Sequence, residues 1–82
     1  MIVIHLRRAL DAYEARTGER LTHDDLAART GLSSATLDSI ASRRGYNASL
    51  KTLDRICLAL RCKPADLLEF VEDEKQEEAR HD

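Results

Sequence analysis

Apolar residues recur at intervals of three and four along most of the chain, and this spacing predicts a series of short helices. In the first of them Leu6, Leu10 and Tyr13 fall at i, i+4 and i+7, which directs Tyr13 towards a core, and Gly18 is a suitable stop. The preceding "MIVI" is apolar and β-branched, which favours a short strand. The chain therefore begins with a candidate strand that leads into an amphipathic helix.

A second, shorter helix is predicted between Thr22 and Gly31. The Thr22 hydroxyl can accept from an unpaired amide of the first turn, where Asp24 and Asp25 suit the positive end of the helix. Gly31 can adopt the positive φ that ends the helix and reverses the chain.

The third predicted helix begins after Ser33, its cap, and runs to about Ser42. Leu37 and Ile40 are three residues apart and face the core. The other side of this helix is then formed by small and polar residues, namely Ser34, Ala35, Asp38 and Ser39.

Ser49 can cap a fourth helix, and Pro64 can start a short fifth one, because its missing N–H is harmless in a first turn. The fourth helix has the strongest amphipathic pattern, with one stripe formed by Leu50, Leu53, Ile56, Cys57 and Leu60. The later segment "EFVE" has β character and could pair antiparallel with "MIVI", within one chain or between two. We expect this pairing to bury otherwise exposed apolar residues, namely Ile2, Ile4, Phe70 or Val71.

Basic residues are concentrated in one part of the chain. The net charge of the 82 residues is −2, yet residues 43–63 contain six basic side chains and a single acid, Asp54. A local basic stripe affects a phosphate backbone more than the total charge does, because the field decays over about 8–10 Å in ordinary salt. Residues 73–82, "DEKQEEARHD", hold five acids and two bases. We therefore predict one domain over residues 1–72 and an acidic, disordered tail over 73–82.

Other classes of protein are disfavoured. No apolar run approaches the ~20 residues of a membrane span, and the apolar start is too short for a secretory signal, so a cytoplasmic location is expected. Cys57 and Cys62 are five apart, which on a continuous helix places them on different faces. Free thiols are expected there, with no metal and no cofactor. No catalytic set or Gly-rich phosphate loop is visible, so the sequence predicts no enzyme.

The segment "LAARTGLSSATLDSI" carries the strongest functional signal. Leu26 and Ala27 precede the turn, Gly31 lies in it, and Leu37 and Ile40 follow. A small residue at 27 lets two helices approach closely, and Gly31 permits a sharp change of direction. This spacing is typical of a helix-turn-helix, here over about residues 22–42, whose second helix enters the major groove of DNA.

About residues 6–70 resemble the lambda-repressor/Cro-like (XRE-type) helix-turn-helix family of small bacterial or phage transcriptional regulators. The most specific parts are "LAARTGLSSATLDSI" and "SLKTLDRICLALRCKPADLLEF". The resemblance implies an all-α, compact five-helix fold, with double-stranded operator DNA as the ligand and a homodimer as the usual assembly.

The resemblance also implies a set of contact residues. The positions that read bases fall on Ser34, Ala35, Thr36 and Ser39. The positions that contact the DNA backbone fall on the two helix starts and on the segment after the third helix, at Thr22, His23, Ser33, Arg43, Arg44, Tyr46 and Asn47.

Three positions depart from the family pattern. His23 stands where Gln is usual, Ala41 replaces a Glu that often pairs with an Arg of the first helix, and Arg43 stands where Gly is common. Asp38 could accept from cytosine N4, but it would also repel phosphate, and an exposed residue that points past the groove is the favoured interpretation.

These features predict a sequence-specific, duplex-DNA-binding transcriptional regulator, acting as a repressor, with helix 33–42 in the major groove. The alternative is a protein-binding module of the same fold, antitoxin-like or anti-repressor, with weak or no DNA binding. The acidic tail and the absence of basic side chains from the recognition helix favour this alternative modestly. In either case a homodimer could form through the terminal segments Ile2–Ile4 and Phe70–Val71.

Overall fold

Five helices lie between two short strands in the computed structural model, which describes residues 1–72. In chain order they are β1 (Ile2–Ile4), α1 (Leu6–Thr17), α2 (His23–Thr30), α3 (Ser34–Ser42), α4 (Leu50–Leu60), α5 (Pro64–Leu67) and β2 (Leu68–Phe70). The predicted five-helix fold with short terminal strands is confirmed. The disordered tail predicted for 73–82 lies outside the described residues.

Local capping explains where α2, α3 and α4 begin. The Thr22 hydroxyl accepts from the Asp25 amide at 3.1 Å, and the Asp25 carboxylate accepts from the Thr22 amide at 2.9 Å. This reciprocal pair satisfies two amides that the helix itself leaves without partners. The hydroxyls of Ser33 and Ser49 cap α3 and α4 in the same position, as predicted.

The core lies where the inner faces of α1–α5 meet. Its fully buried side chains come from every helix and are Leu6, Leu26, Leu37, Ile40, Ile56, Leu60 and Leu67. Tyr13 is buried as predicted, and its hydroxyl donates to the Glu19 carboxylate at 3.0 Å. A further ring of half-buried residues, including Leu32, Tyr46 and Leu53, packs against this cluster.

One member of the predicted α4 stripe does not join the core. Leu50 is 83% exposed, whereas Ile56 and Leu60 are completely buried. At 3.6 residues per turn, Leu50 projects roughly 120° away from Ile56 and roughly 80° from Leu60. The apolar pattern of α4 is therefore wider than the face that the core covers.

The two strands pair antiparallel within one chain, which decides between the two arrangements expected from the sequence. Ile2 lies opposite Phe70, Val3 opposite Glu69 and Ile4 opposite Leu68. The expectation that pairing would bury the apolar ends is wrong for Ile2 and Phe70, which stay 53% and 65% exposed. Alternate residues of a strand point to opposite faces, so the buried residue of β1 is Val3.

No helix within residues 1–72 is long and apolar enough to cross a membrane.

Candidate nucleic-acid interface

The turn between α2 and α3 sets the direction of the candidate recognition helix. Gly31 ends α2 with a φ of 78°, a conformation that costs an L-residue with a side chain roughly 1–2 kcal/mol. Leu26 and Leu37 are both fully buried on either side of this turn. Their burial holds α2 and α3 against each other and turns the opposite face of α3 outwards.

The outward face of α3 is small and contains hydroxyl groups. Ala35 is exposed, and Ser34, Thr36 and Ser39 are half-buried. These are the four residues that the resemblance assigns to base reading, and all of them remain accessible. The Thr36 hydroxyl accepts from the Ser33 hydroxyl at 2.9 Å, so it can still donate its own proton.

A short contact joins the start of α2 to the middle of α3. Nδ1 of His23 lies 2.5 Å from a carboxylate oxygen of Asp38. The His23 side chain is 28% exposed and that of Asp38 is 67% exposed. Asp38 therefore does not merely point past the site, because it holds a ring that the resemblance assigns to a DNA phosphate.

The N-terminal turn of α2 carries further negative charge beside His23. The amide and hydroxyl of Thr22, through hydrogen bonds to the carboxylate, hold the pKa of Asp25 below its usual value, so this side chain is ionised at neutral pH. Asp24 is exposed in the same turn. The Thr22 hydroxyl, a predicted backbone contact, accepts from the Asp25 amide in this cap.

Four arginines are among the residues that line one groove at the C-terminal end of α3. Arg43 and Arg44 follow α3, and Arg7 and Arg8 come from α1; together with His5 they line an open space of about 310 Å³. The residues that line the groove, from β1, α1 and α3, include no acid, and the nearby Glu69 carboxylate of β2 contacts Nε2 of His5 at 2.6 Å. Within residues 1–72 neither Arg43 nor Arg44 forms an ion pair. Arg7 and Arg8 were not predicted as DNA contacts. Their position in the sequence shortly after β1 was the available signal.

The segment after α3 is fixed by backbone contacts. The Tyr46 amide donates to the Arg43 carbonyl at 3.2 Å, and the half-buried Tyr46 packs on the core cluster. Gly45 takes a φ of 76° with the Met1 side chain beside it, and Asn47 is exposed. Of the two predicted contacts here, Asn47 is thus the more accessible.

Arg55 of α4 is a further basic residue that was not predicted as a DNA contact. Its guanidinium lies beside the turn, where a Cβ built on Gly31 would come within 3.9 Å of Nη1. This places a positive charge next to the start of α3.

The two cysteines are free and half-buried, as expected, but they are not on different faces. α4 ends at Leu60, and Arg61 reverses the chain with a φ of 52°, so that the Cys62 amide donates to the Cys57 carbonyl at 3.1 Å. Burial raises the pKa of the Cys62 thiol to about 11, and its charge interaction and hydrogen bond with the Cys57 thiol act in the same direction.

Residues 1–72 hold no group of three or more His, Cys, Asp or Glu side chains arranged for a metal ion.

Comparison with known proteins agrees with this geometry. Residues 19–73 match the Cro/C1-type HTH DNA-binding domain, and the chain belongs to that family. Over 55 residues the chain is 34% identical to YozG of Bacillus subtilis (strain 168), which is described as an uncharacterized HTH-type transcriptional regulator. This match covers 67% of the chain and 66% of YozG, slightly less than two thirds of that protein. No solved structure matches the chain.

Proposed function

We propose that the protein is a sequence-specific transcriptional regulator of the cytoplasm that represses by placing α3 in the major groove of duplex DNA. The observation that carries this proposal is the groove at the end of α3, whose lining residues include four arginines and no acid. Arginine clusters neutralise phosphates and release counterions, which supplies most of the affinity in such complexes. The kinship with an HTH-type transcriptional regulator supports the same conclusion.

In this proposal the outward face of α3 reads the bases. Ser34, Thr36 and Ser39 offer hydroxyls to base edges, and the Ala35 methyl fits against a thymine methyl. His23, Ser33 and Thr22 position the helix starts against the backbone, and Arg43, Arg44, Tyr46 and Asn47 do so at the other end. Such small side chains discriminate weakly between base pairs, so the sequence-dependent shape of the DNA contributes to the choice of operator.

The regulator acts as a homodimer joined through the terminal strands. The side chains of Ile2 and Phe70 share one exposed face of the sheet, and two such faces are self-complementary. Operator reading requires the two α3 helices to lie about 34 Å apart.

A titration of DNA binding against salt tests the function. Wild-type protein should bind duplexes taken from the region flanking its own gene, with an affinity that falls steeply as salt rises. The double variant Arg43→Ala, Arg44→Ala should bind all sequences more weakly and lower the salt slope by about 1 for each phosphate that is no longer neutralised. The variant Arg61→Ala, Lys63→Ala removes the same charge at the α4–α5 junction and should retain most of the affinity.

A protein-binding module is the second candidate, favoured by the exposed apolar pair Ile2 and Phe70 and by the absence of basic side chains from α3. Absence of DNA binding at low salt, with the fold intact, would decide for this candidate. Binding that the double arginine variant leaves unchanged would refute the proposed phosphate contacts.

A further inference from the structure

We propose that Asp38 is a positioning residue for His23, and that the contact of His23 with a DNA phosphate takes up a proton. The inference rests on the proposed DNA-binding function and adds a form of regulation to it. It predicts a regulator whose affinity for DNA increases as pH falls.

The geometry places the pair at the expected position of the DNA backbone. His23 is the first residue of α2, the helix that crosses the backbone in a helix-turn-helix. Its Nδ1 is held by Asp38 at 2.5 Å, which leaves Nε2 as the only ring nitrogen available to a ligand. The contact joins the two helices of the motif and so fixes the ring relative to α3.

The chemistry of the two groups determines what Nε2 can do. An ionised carboxylate only accepts hydrogen bonds, so Nδ1 must carry a proton to contact Asp38. A neutral imidazole has a single N–H, and Nε2 is then an acceptor. A phosphate oxygen is also an acceptor, and it is repelled by this form. Only the imidazolium, which has a second proton on Nε2, can donate to Asp38 and to a phosphate at once.

The charges around His23 also favour DNA binding by the protonated ring over the neutral one. Asp24 and Asp25 share the first turn of α2 with His23. The groove of about 260 Å³ that ends at His23 is lined by charges of both signs from α1 and the following loop, namely Arg7, Asp11, Glu14 and Arg20. Since these four balance one another, Asp38 and the first turn of α2 dominate. With neutral His23 the pair presents a net negative charge to DNA, and protonation removes it.

The expected consequence is a linkage between DNA binding and pH. The complex holds one more proton at each His23 than the free protein with neutral His23, so binding is favoured as pH falls. Where His23 is neutral in the free protein, the affinity should change by up to about tenfold per pH unit for each protomer. The dependence should disappear under any condition in which the free protein already carries this proton.

The experiment measures DNA affinity and proton uptake between about pH 5 and 8, the range in which histidine changes charge. Titration calorimetry in two buffers of different ionisation enthalpy counts the protons. His23→Gln retains a neutral donor, so the difference between wild type and this variant isolates His23 from other titrating groups. We expect the number of protons taken up on DNA binding to be lower in His23→Gln than in wild type, by up to one per protomer.

Asp38→Asn tests the positioning role. An amide can donate to Nδ1, so neutral His23 can carry its proton on Nε2 and bind phosphate without taking up another. We expect higher affinity near pH 8 and reduced proton uptake. Asp54→Asn removes an equal charge from an exposed position on α4 and should keep the wild-type proton uptake. In free protein above the histidine transition, ¹⁵N shifts of the His23 ring should report a proton on Nδ1 in wild type and a shift towards Nε2 in Asp38→Asn.

The outcomes separate this inference from the proposed function. DNA binding with equal proton uptake in wild type and His23→Gln overturns the inference alone. A His23 ring that carries its proton on Nε2 in wild type overturns the role of Asp38. Absence of DNA binding at every pH overturns both the proposed function and the inference.

Discussion

Phe70 of β2 lies directly opposite Ile2 of β1, and both side chains remain largely exposed although the strands that carry them are paired. The pairing continues one residue further, because the Val71 amide donates to the Met1 carbonyl at 2.8 Å. The sheet thus satisfies backbone groups at both ends of the domain without covering this apolar pair. This apolar pair is the surface on which the proposed homodimer interface rests.

The first prediction concerns this surface and the proposed homodimer. The double variant Ile2→Thr, Phe70→Thr keeps β propensity but removes the apolar contact. Sedimentation equilibrium should show a dimer for wild type and a monomer for the variant, with the helical circular dichroism unchanged. Leu58→Ser, which alters another exposed residue, on α4, should leave the dimer intact. A monomeric wild-type protein at micromolar concentration would refute this interface.

The second prediction compares two neighbouring residues of α4. Ile56 is completely buried, and its replacement by Ala should lower the free energy of unfolding by about 2–5 kcal/mol. Leu58 is 73% exposed, and Leu58→Ala should change it by less than about 0.5 kcal/mol. Urea unfolding followed by circular dichroism measures both. Similar losses for the two variants would contradict the orientation of α4.

The third prediction concerns the chain reversal at the end of α4. Arg61 has a φ of 52°, which a residue with a side chain adopts at a cost of roughly 1–2 kcal/mol. Arg61→Gly removes this cost but adds backbone entropy to the unfolded chain, for a net gain of about 0.5–1 kcal/mol in the free energy of unfolding. Arg61→Ala makes the same change in charge without relieving the conformation, and its stability should stay near that of wild type. Equal stability of the Gly and Ala variants would contradict the expected relief of the positive φ at Arg61.

Short-range signals explain which parts of this fold could be predicted from the sequence. The caps at Thr22, Ser33 and Ser49 bond to amides three residues ahead, so the sequence alone locates the helix starts. The contact between His23 and Asp38 spans 15 residues and depends on how α2 packs against α3. No local pattern encodes that packing angle, which is why Asp38 was interpreted as an unengaged surface residue.

The same limit applies to the residues around the basic groove and to the two cysteines. Arg7 and Arg8 reach the groove of Arg43 and Arg44 only because β1 and α1 lie beside the end of α3. The cysteines were assigned to different faces on the assumption of a continuous helix. The left-handed conformation at Arg61, where no Gly signals a helix end, breaks that assumption and brings Cys62 back to Cys57.

The last prediction follows from the environment of Cys62. Burial, together with the neighbouring Cys57 thiol, raises the pKa of this thiol to about 11, whereas an ordinary cysteine titrates near 8.5. Because only the thiolate reacts, alkylation of Cys62 by iodoacetamide at about pH 8 should be roughly a hundredfold slower than in urea-unfolded protein, and it should accelerate up to about pH 11.

Peptide mapping by mass spectrometry measures this rate for each cysteine, and Cys57→Ala supplies the matched variant. The variant removes the charge interaction and the hydrogen bond from the Cys57 thiol but leaves most of the burial, which is the largest cause. The rate at Cys62 should therefore rise only in part, and its pH profile should move to lower pH without reaching that of the unfolded chain. Equal alkylation rates in folded and unfolded wild-type protein would contradict the raised pKa of Cys62. They would show that neither burial nor the Cys57 thiol hinders deprotonation of this thiol in the folded chain.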